Sequence, residues 1–282
     1  MSSDWPDFND IWDYDDPAAT ETRFRELLAS AQTPDASYTL QLLTQIARTL
    51  GLQKKFDEAH VVLDEVESHM RGGDVVEARY LLERGRTLNS SRQAEQAVPL
   101  FRKAVDIAMQ ISADFYAVDA LHMLGIAAPP KERLDWNLKA IEYAENSSQT
   151  RTKQWLGSLY NNTAWTLFDE TRYTEALDLF EKAQAMREQQ GQPKEFGIAR
   201  WCVAKTLRML GRVEEALAIQ RELEKDGKSD GFTEEEIAEC LHALGKHKEA
   251  RLYFETAYAR LSQIDWAAED IQRMERIRSL SQ

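Results

Sequence analysis

A pattern of small and apolar residues that returns at a fixed interval restricts the fold of this chain more than anything else in it. Ala204, Leu207, Gly211, Ala216 and Leu223 are followed by the similar series Ala238, Leu241, Gly245, Ala250, Phe254 and Ala257, and Ala216 and Ala250 are 34 residues apart. A clear single copy reads Tyr160, Ala164 and Leu167, then a polar break from Asp169 to Arg172, then Tyr173, Ala176, Phe180 and Ala183. Steps of three and four residues on both sides of the break place each set on one helix face, so the copy is a helical hairpin. A lone hairpin leaves much of its apolar surface open, and stacking on further hairpins covers it.

Earlier copies are recognisable. Gly85, Leu88, Ala97, Phe101 and Ala104 form one, and Ala47, Phe56, Ala59 and Leu63 form another, with Leu50, Gly51 and Leu52 leading into its turn. The copy around Ala120 and Leu124 departs most, because Pro129 and Pro130 are expected to lengthen the turn before Leu134, Leu138 and Ile141. With Ala59, Ala97, Leu134, Ala176, Ala216 and Ala250 as equivalent positions there are six copies, spaced 38, 37, 42, 40 and 34 residues apart. The period, the small residue where helices cross and the Ala-x-x-x-Phe-x-x-Ala second helix resemble the tetratricopeptide repeat (TPR) family, from about residue 36 to residue 261.

The resemblance implies an all-α fold: a right-handed α-solenoid of about six TPR-like helical hairpins, with an extra N-terminal helix and a C-terminal capping helix. Residues 1–16 form an acidic aromatic segment, 17–264 the solenoid with its N-terminal helix, and 265–282 the cap. Asp16 before Pro17 is a helix start, predicting a helix over 17–32, and Asp74 to Glu77 and Thr233 to Glu236 have the spacing of capping boxes. A helix from Asp265 to about Leu280 would cover the last apolar edge, as a solenoid end requires.

The chemistry of catalysis is not legible here. The sequence has no Gly-rich phosphate loop, no Gly-x-Ser-x-Gly, no His-Glu-x-x-His and no Cys-x-x-Cys. None of His60, His69, His122, His242 and His247 is paired at i, i+4 with another His or a Cys. The expectation is a protein that is not an enzyme and uses no metal or cofactor. The acidic runs at Asp13 to Asp16 and Glu234 to Glu236 read as helix starts, where carboxylates meet the positive end of the dipole. Cys202 and Cys240 lie in helical patterns and read as buried small hydrophobes. With no apolar stretch near the roughly 18 residues of a spanning helix and no signal-like start, a cytoplasmic location is expected. A net charge of -13 repels phosphate and anionic lipid, so neither nucleic acid nor membrane is expected as a partner.

The resemblance also implies that first helices line a concave groove. Offsets from the small crossing residue collect Thr44 and Arg48; Leu82, Arg86 and Asn89; Ala117, Leu121 and Leu124; Asn161, Trp165 and Phe168; Trp201, Lys205 and Arg208; and Glu235, Glu239 and His242. The candidate ligand-binding residues are Arg48, Arg86, Asn89, Asn161, Trp165, Trp201, Lys205 and Arg208, a local reversal of sign in an acidic chain. Arginine, asparagine and tryptophan together suit an acidic or carboxylate-bearing protein or peptide segment. The competing reading is that the cations are solvated and the tryptophans lie in the core. A scaffold is the leading functional expectation, and a peptide sensor that changes shape on binding is the second. At the N-terminus Asp4, Asp7, Asp10, Asp13, Asp15 and Asp16 alternate with Trp5, Phe8, Trp12 and Tyr14. Three fates stay open for this segment: a plug in the groove, a cover for the first repeat, or a disordered tail.

Overall fold

The computed structural model describes residues 6–30, 35–227 and 230–282; Asp4 and Trp5 of the acidic aromatic segment lie outside them. The described residues are helical, with no β-strand, and they divide into two compact units, 1–155 and 156–282. In the first unit a 3-10 turn at Phe8–Asp10 precedes α1 (Pro17–Ser30), α2 (Ala36–Leu52), α3 (Phe56–His69), α4 (Val75–Ser90), α5 (Ala94–Gln110), α6 (Asp114–Ala127), α7 (Pro130–Asn146) and the single turn α8 (Thr150–Lys153). The second holds α9 (Leu156–Asp169), α10 (Tyr173–Gln189), α11 (Pro193–Met209), α12 (Val213–Lys225), α13 (Phe232–Ala243), α14 (His247–Leu261), α15 (Asp265–Ala268) and α16 (Ile271–Leu280). Consecutive helices pack as pairs, α2 with α3 through to α13 with α14, while α1 covers α2 and α16 covers α14. Each unit is a stack of helical hairpins of the expected all-α, TPR-like kind.

Most first-to-second helix turns share one construction. The N–H of Gln93 donates to Leu88 O, Arg172 to Leu167 O, Arg212 to Leu207 O and Lys246 to Leu241 O, each at 2.8 to 2.9 Å. Such a six-residue closure needs the residue before the donor in the left-handed region. Glycine fills that place at Gly211 and Gly245, but Lys54, Arg92 and Thr171 adopt it too, with φ of 62°, 67° and 60°. The turns after α4 and α9 therefore carry no glycine, and in the turn after α2 the glycine, Gly51, stands three residues before the left-handed Lys54.

Small residues set how closely paired helices approach. Ala47, Ala164 and Ala238 are fully buried, and a Cβ on Gly85 would fall 2.5 Å from the Phe101 ring. Phe101, Phe180 and Phe254 are likewise fully enclosed.

The third pair corrects the expected register. Pro130 is the first residue of α7, where its missing N–H costs nothing, so the turn after Ala127 is short, not lengthened. The close crossing is at Gly125, whose added Cβ would sit 1.9 Å from Asn137 Oδ1. Asn137 meets Gly125 as Phe101 meets Gly85, so the position equivalent to Ala97 is Arg133, four residues before Asn137, and Leu134 lies one residue beyond it, only half-buried. The long spacing that follows comes from α8 and its flanks.

Caps follow the sequence with small shifts. Asp16 Oδ1 accepts from Ala19 N at 2.9 Å, and Asp74 Oδ1 accepts from Val76 N and Glu77 N. Glu77 returns to Gly73 N (2.6 Å) instead of closing the box on Asp74. The expected box at Thr233 starts earlier, with Glu234 accepting from Gly231 N at 2.7 Å. The C-terminal cap is broken into α15 and α16, the second started by Asp270, which accepts from Arg273 N.

Two stability measurements check this construction. Ala164, Ala204 and Ala238 each changed to Leu should cost roughly 1 to 3 kcal/mol by overpacking, and unchanged melting temperatures for all three would refute the crossing register. Thr171 is β-branched and left-handed, a conformation that costs a non-glycine residue roughly 1 to 2 kcal/mol. Thr171→Gly should therefore raise the urea midpoint, even after glycine's larger unfolded-state entropy.

Candidate ligand-binding faces

Helix geometry puts residues one after, three before and six before each crossing residue on one face. In the first unit, with crossings at Ala47, Gly85 and Gly125, that face carries Arg48, Arg86 and Ile126; Thr44, Leu82 and His122; and Gln41, Arg79 and Asp119. In the second, with Ala164, Ala204 and Ala238, it carries Trp165, Lys205 and Glu239; Asn161, Trp201 and Glu235; and Ser158, Ile198 and Phe232. Ala117, Leu121 and Leu124, assigned to this face from the sequence, are core residues. The register correction replaces them.

On the first face the expected positive charge is largely cancelled. Arg86 Nη1 donates to Glu83 Oε1 at 2.5 Å and Nη2 donates to Asp119, while Arg48 Nη1 reaches Glu83 Oε2 at 3.4 Å. Burial opposes charge on Arg86, but Asp119 and Glu83 outweigh it and raise its pKa above the ordinary arginine value. Asn89, in the last turn of α4, is half-buried. The His122 ring lies tilted at 46° against Trp155, with ring centroids 5.2 Å apart. Burial drives its pKa down to about 4, so it is neutral at pH 7.

Arg79 was not singled out by the sequence, since it lies one turn beyond the offsets used. It is 7% exposed. Its Nη1 donates to Tyr116 Oη at 2.7 Å and to Gln41 Oε1 at 3.3 Å, and Nε reaches Thr44 Oγ1 at 3.4 Å. Its guanidinium lies over the rings of Phe8 (4.8 Å) and Tyr116 (5.4 Å). Among the described residues no carboxylate lies within ion-pair distance of it, nor of Arg151, which covers Phe115 at 4.1 Å. Arg48, Arg79, Arg86 and Arg151 line a cavity of about 110 Å³ with Asp7, Glu83 and Asp119. Since Glu83 and Asp119 are engaged by Arg48 and Arg86, the cavity keeps a positive excess.

The second face is organised by Glu236, a residue the offsets also passed over. It is buried, and accepts from Lys205 Nζ at 2.6 Å and from Arg208 Nε and Nη2 at 2.8 and 3.1 Å. Burial would raise its pKa, but the two cations hold it below the usual carboxylate value. Lys205 and Arg208 are thus committed within the unit. Trp165 and Trp201 are half-buried with ring centroids 6.3 Å apart, and Trp201 Nε1 donates to Phe232 O at 3.3 Å. Asn161 Nδ2 donates to Asn162 Oδ1 at 3.3 Å. Gly197, Ile198, Trp201, Phe232 and Trp266 line an apolar cleft of about 740 Å³, in which Phe232 and Trp266 stack at 5.2 Å. Cys202 and Cys240 are buried, and burial pushes each thiol up to about 12.

The eight candidate residues therefore fall into two sets. Arg48, Arg86 and Asn89 stand in the first unit, and Asn161, Trp165, Trp201, Lys205 and Arg208 in the second. No group of three or more His, Cys, Asp or Glu side chains suited to a metal ion occurs among the described residues, and none of their helices is long and apolar enough to cross a membrane.

No protein-family model and no curated protein matches the sequence. Solved structures do match. A signal transduction ATPase with numerous domains and a tetratricopeptide repeat sensor, from Pyrococcus horikoshii, is similar with a TM-score of 0.73 and 13% identity, over 93% of this chain and 44% of that one. The apo form of RapI matches with a TM-score of 0.71 and 12% identity, over 92% of this chain and 76% of that one. NprR in complex with its cognate peptide NprX matches with a TM-score of 0.57 and 14% identity, over 88% and 78%. At these identities the likeness is one of fold. Stacked helical hairpins, small crossing residues and these neighbours together show an all-α fold of the tetratricopeptide-repeat type.

Proposed function

We propose that this chain is a non-catalytic, cytoplasmic binding protein whose first-helix faces take a protein or peptide segment, preferably an acidic or carboxylate-bearing one. The observation that carries this reading is Arg79: a buried guanidinium beside a cavity with neutral acceptors and aromatic rings around it and, among the described residues, no carboxylate within ion-pair distance. Burying a charge without a counter-charge is costly, and an arriving carboxylate lowers that cost through charge-assisted hydrogen bonds. Arg48 and Asn89 in the first unit, and Asn161, Trp165 and Trp201 in the second, extend the contact surface. Arg86, Lys205 and Arg208 serve it indirectly by holding Glu83, Asp119 and Glu236 in place.

A second reading, a peptide sensor whose shape changes on binding, is supported by the fold likeness to NprR, which was solved with its cognate peptide. A rigid scaffold keeps its dimensions when a ligand binds, and a sensor shifts between populations of different shape.

Both readings are tested with short peptides selected from a displayed library. Selected sequences should be enriched in Asp, Glu or free C-termini, and Arg48→Gln and Arg79→Gln should each weaken them about ten-fold or more, in the range of a charge-assisted bond. Failure to select any ligand, or equal binding by both variants, would sink the proposal. Reversing Arg86, Lys205 or Arg208 is a poor test, because an acid placed against Asp119 or Glu236 leaves buried charge unpaired, at roughly 3 to 5 kcal/mol. Those variants should unfold at lower temperature. For the sensor reading, solution scattering should give a changed radius of gyration once the selected peptide is bound, and an unchanged one leaves the rigid scaffold.

A further inference from the structure

The first-unit face is not bare, because the chain's own N-terminal segment lies on it. Phe8 is 7% exposed, with its ring 4.8 Å from Tyr38, 6.1 Å from Phe24 and beneath the guanidinium of Arg79. Four residues later, Trp12 Nε1 donates to Gln45 Oε1 at 2.9 Å, and Arg48 lies 5.9 Å above the Trp12 ring and 5.8 Å from that of Tyr14. Tyr38 Oη donates to Pro6 O at 3.0 Å. Asp7 and Trp12 stand on the wall of the cavity that Arg79 lines.

These contacts have the chemistry of ligand recognition more than of a core. Apart from Phe8, the segment is half-buried or exposed, and Tyr14 is 60% exposed although it stacks on Trp12 at 4.7 Å. Three rings of the segment cover two cations, Arg79 with no carboxylate within ion-pair distance among the described residues and Arg48 with a long contact to Glu83, and cation–π attraction supplies what an ion pair does elsewhere on the face. Acids at Asp7, Asp10, Asp13, Asp15 and Asp16 surround these rings in the sequence.

We infer that Pro6–Tyr14 is an intramolecular occupant of this face, standing in for a partner segment with two aromatic side chains four residues apart among acidic residues. The partner binds when the occupant lifts away. This rests on the binding reading above and adds the identity of the ligand class and a means of control. A tethered occupant acts at an effective concentration on the order of millimolar, so even a weak intrinsic affinity suppresses binding in trans.

The test uses the full chain and, as probe, a fluorescein-labelled synthetic peptide with the sequence of residues 4–16, followed by anisotropy. The intact protein should bind it weakly, while Phe8→Ala and Trp12→Ala should each bind it at least ten-fold more tightly. Phe8→Ala also removes packing on Phe24, which a second variant avoids. Tyr38→Phe keeps the ring beside Phe8 and removes only the hydrogen bond to Pro6, so it should give a gain of a few-fold. Adding Arg48→Gln to Trp12→Ala should reverse the gain. Equal affinity of the intact protein and all three variants for the probe, or no binding to any of them, overturns the inference. Library-selected ligands that need Arg48 and Arg79 but do not compete with the probe would likewise overturn it, while leaving the binding reading in place.

Discussion

The close approach of paired helices at small residues is the constraint on which the rest of this structure depends. At Ala47, Gly85, Gly125, Ala164, Ala204 and Ala238 a helix backbone is near its partner, with room for a hydrogen or a methyl group and nothing larger. Interiors are packed at crystal-like density, so this spacing cannot be relaxed locally without cost. It determines which side chains of each first helix are enclosed and which stand on the open face. Arg48, Arg86 and Lys205 are placed on that face by being one residue beyond a crossing, not by their own chemistry.

Once neighbouring first helices are side by side, their charges are satisfied across the gap. Arg48 on α2 reaches Glu83 on α4, Arg86 on α4 reaches Asp119 on α6, and Lys205 and Arg208 on α11 share Glu236 on α13. Glu235 and Glu239 on α13 continue the pattern to Arg273 and Arg276 on α16. These half-buried pairs fix which helix lies beside which, because a shifted neighbour would leave a carboxylate or guanidinium without its partner. Against this background Arg79 stands out. The same low-polarity surroundings that strengthen the pairs leave it a cation held by a phenol, an amide, a hydroxyl and two rings.

The repeat architecture follows from apolar spacing, which any helix imposes on its sequence, and so the six hairpins, the N-terminal helix and the polar C-terminal cover are legible without coordinates. The third pair was misplaced because Pro129 and Pro130 look like a long turn, whereas Pro130 begins α7. The turn after α9 is legible as the polar break from Asp169 to Arg172, and that after α2 follows Gly51, although Thr171 and Lys54, not glycine, take the left-handed position. Of the candidate site residues, all eight lie on first helices, as their offsets required. Their charge state did not follow, since Glu83, Asp119 and Glu236 are distant in sequence or hidden among dozens of other acids.

By itself, then, the sequence determined that the chain is a stack of helical hairpins with small residues at the crossings, an acidic net charge and an aromatic N-terminal segment. Only the tertiary structure decided which cations are already paired, that Arg79 is paired with no acid among the described residues, and that Phe8 and Trp12 lie over the guanidinium groups of Arg79 and Arg48. The physical reason is range. Helix periodicity is set within a few residues, whereas an ion pair or a ring over a cation depends on side chains brought together from about 30 to 70 positions apart by the packing of whole helices.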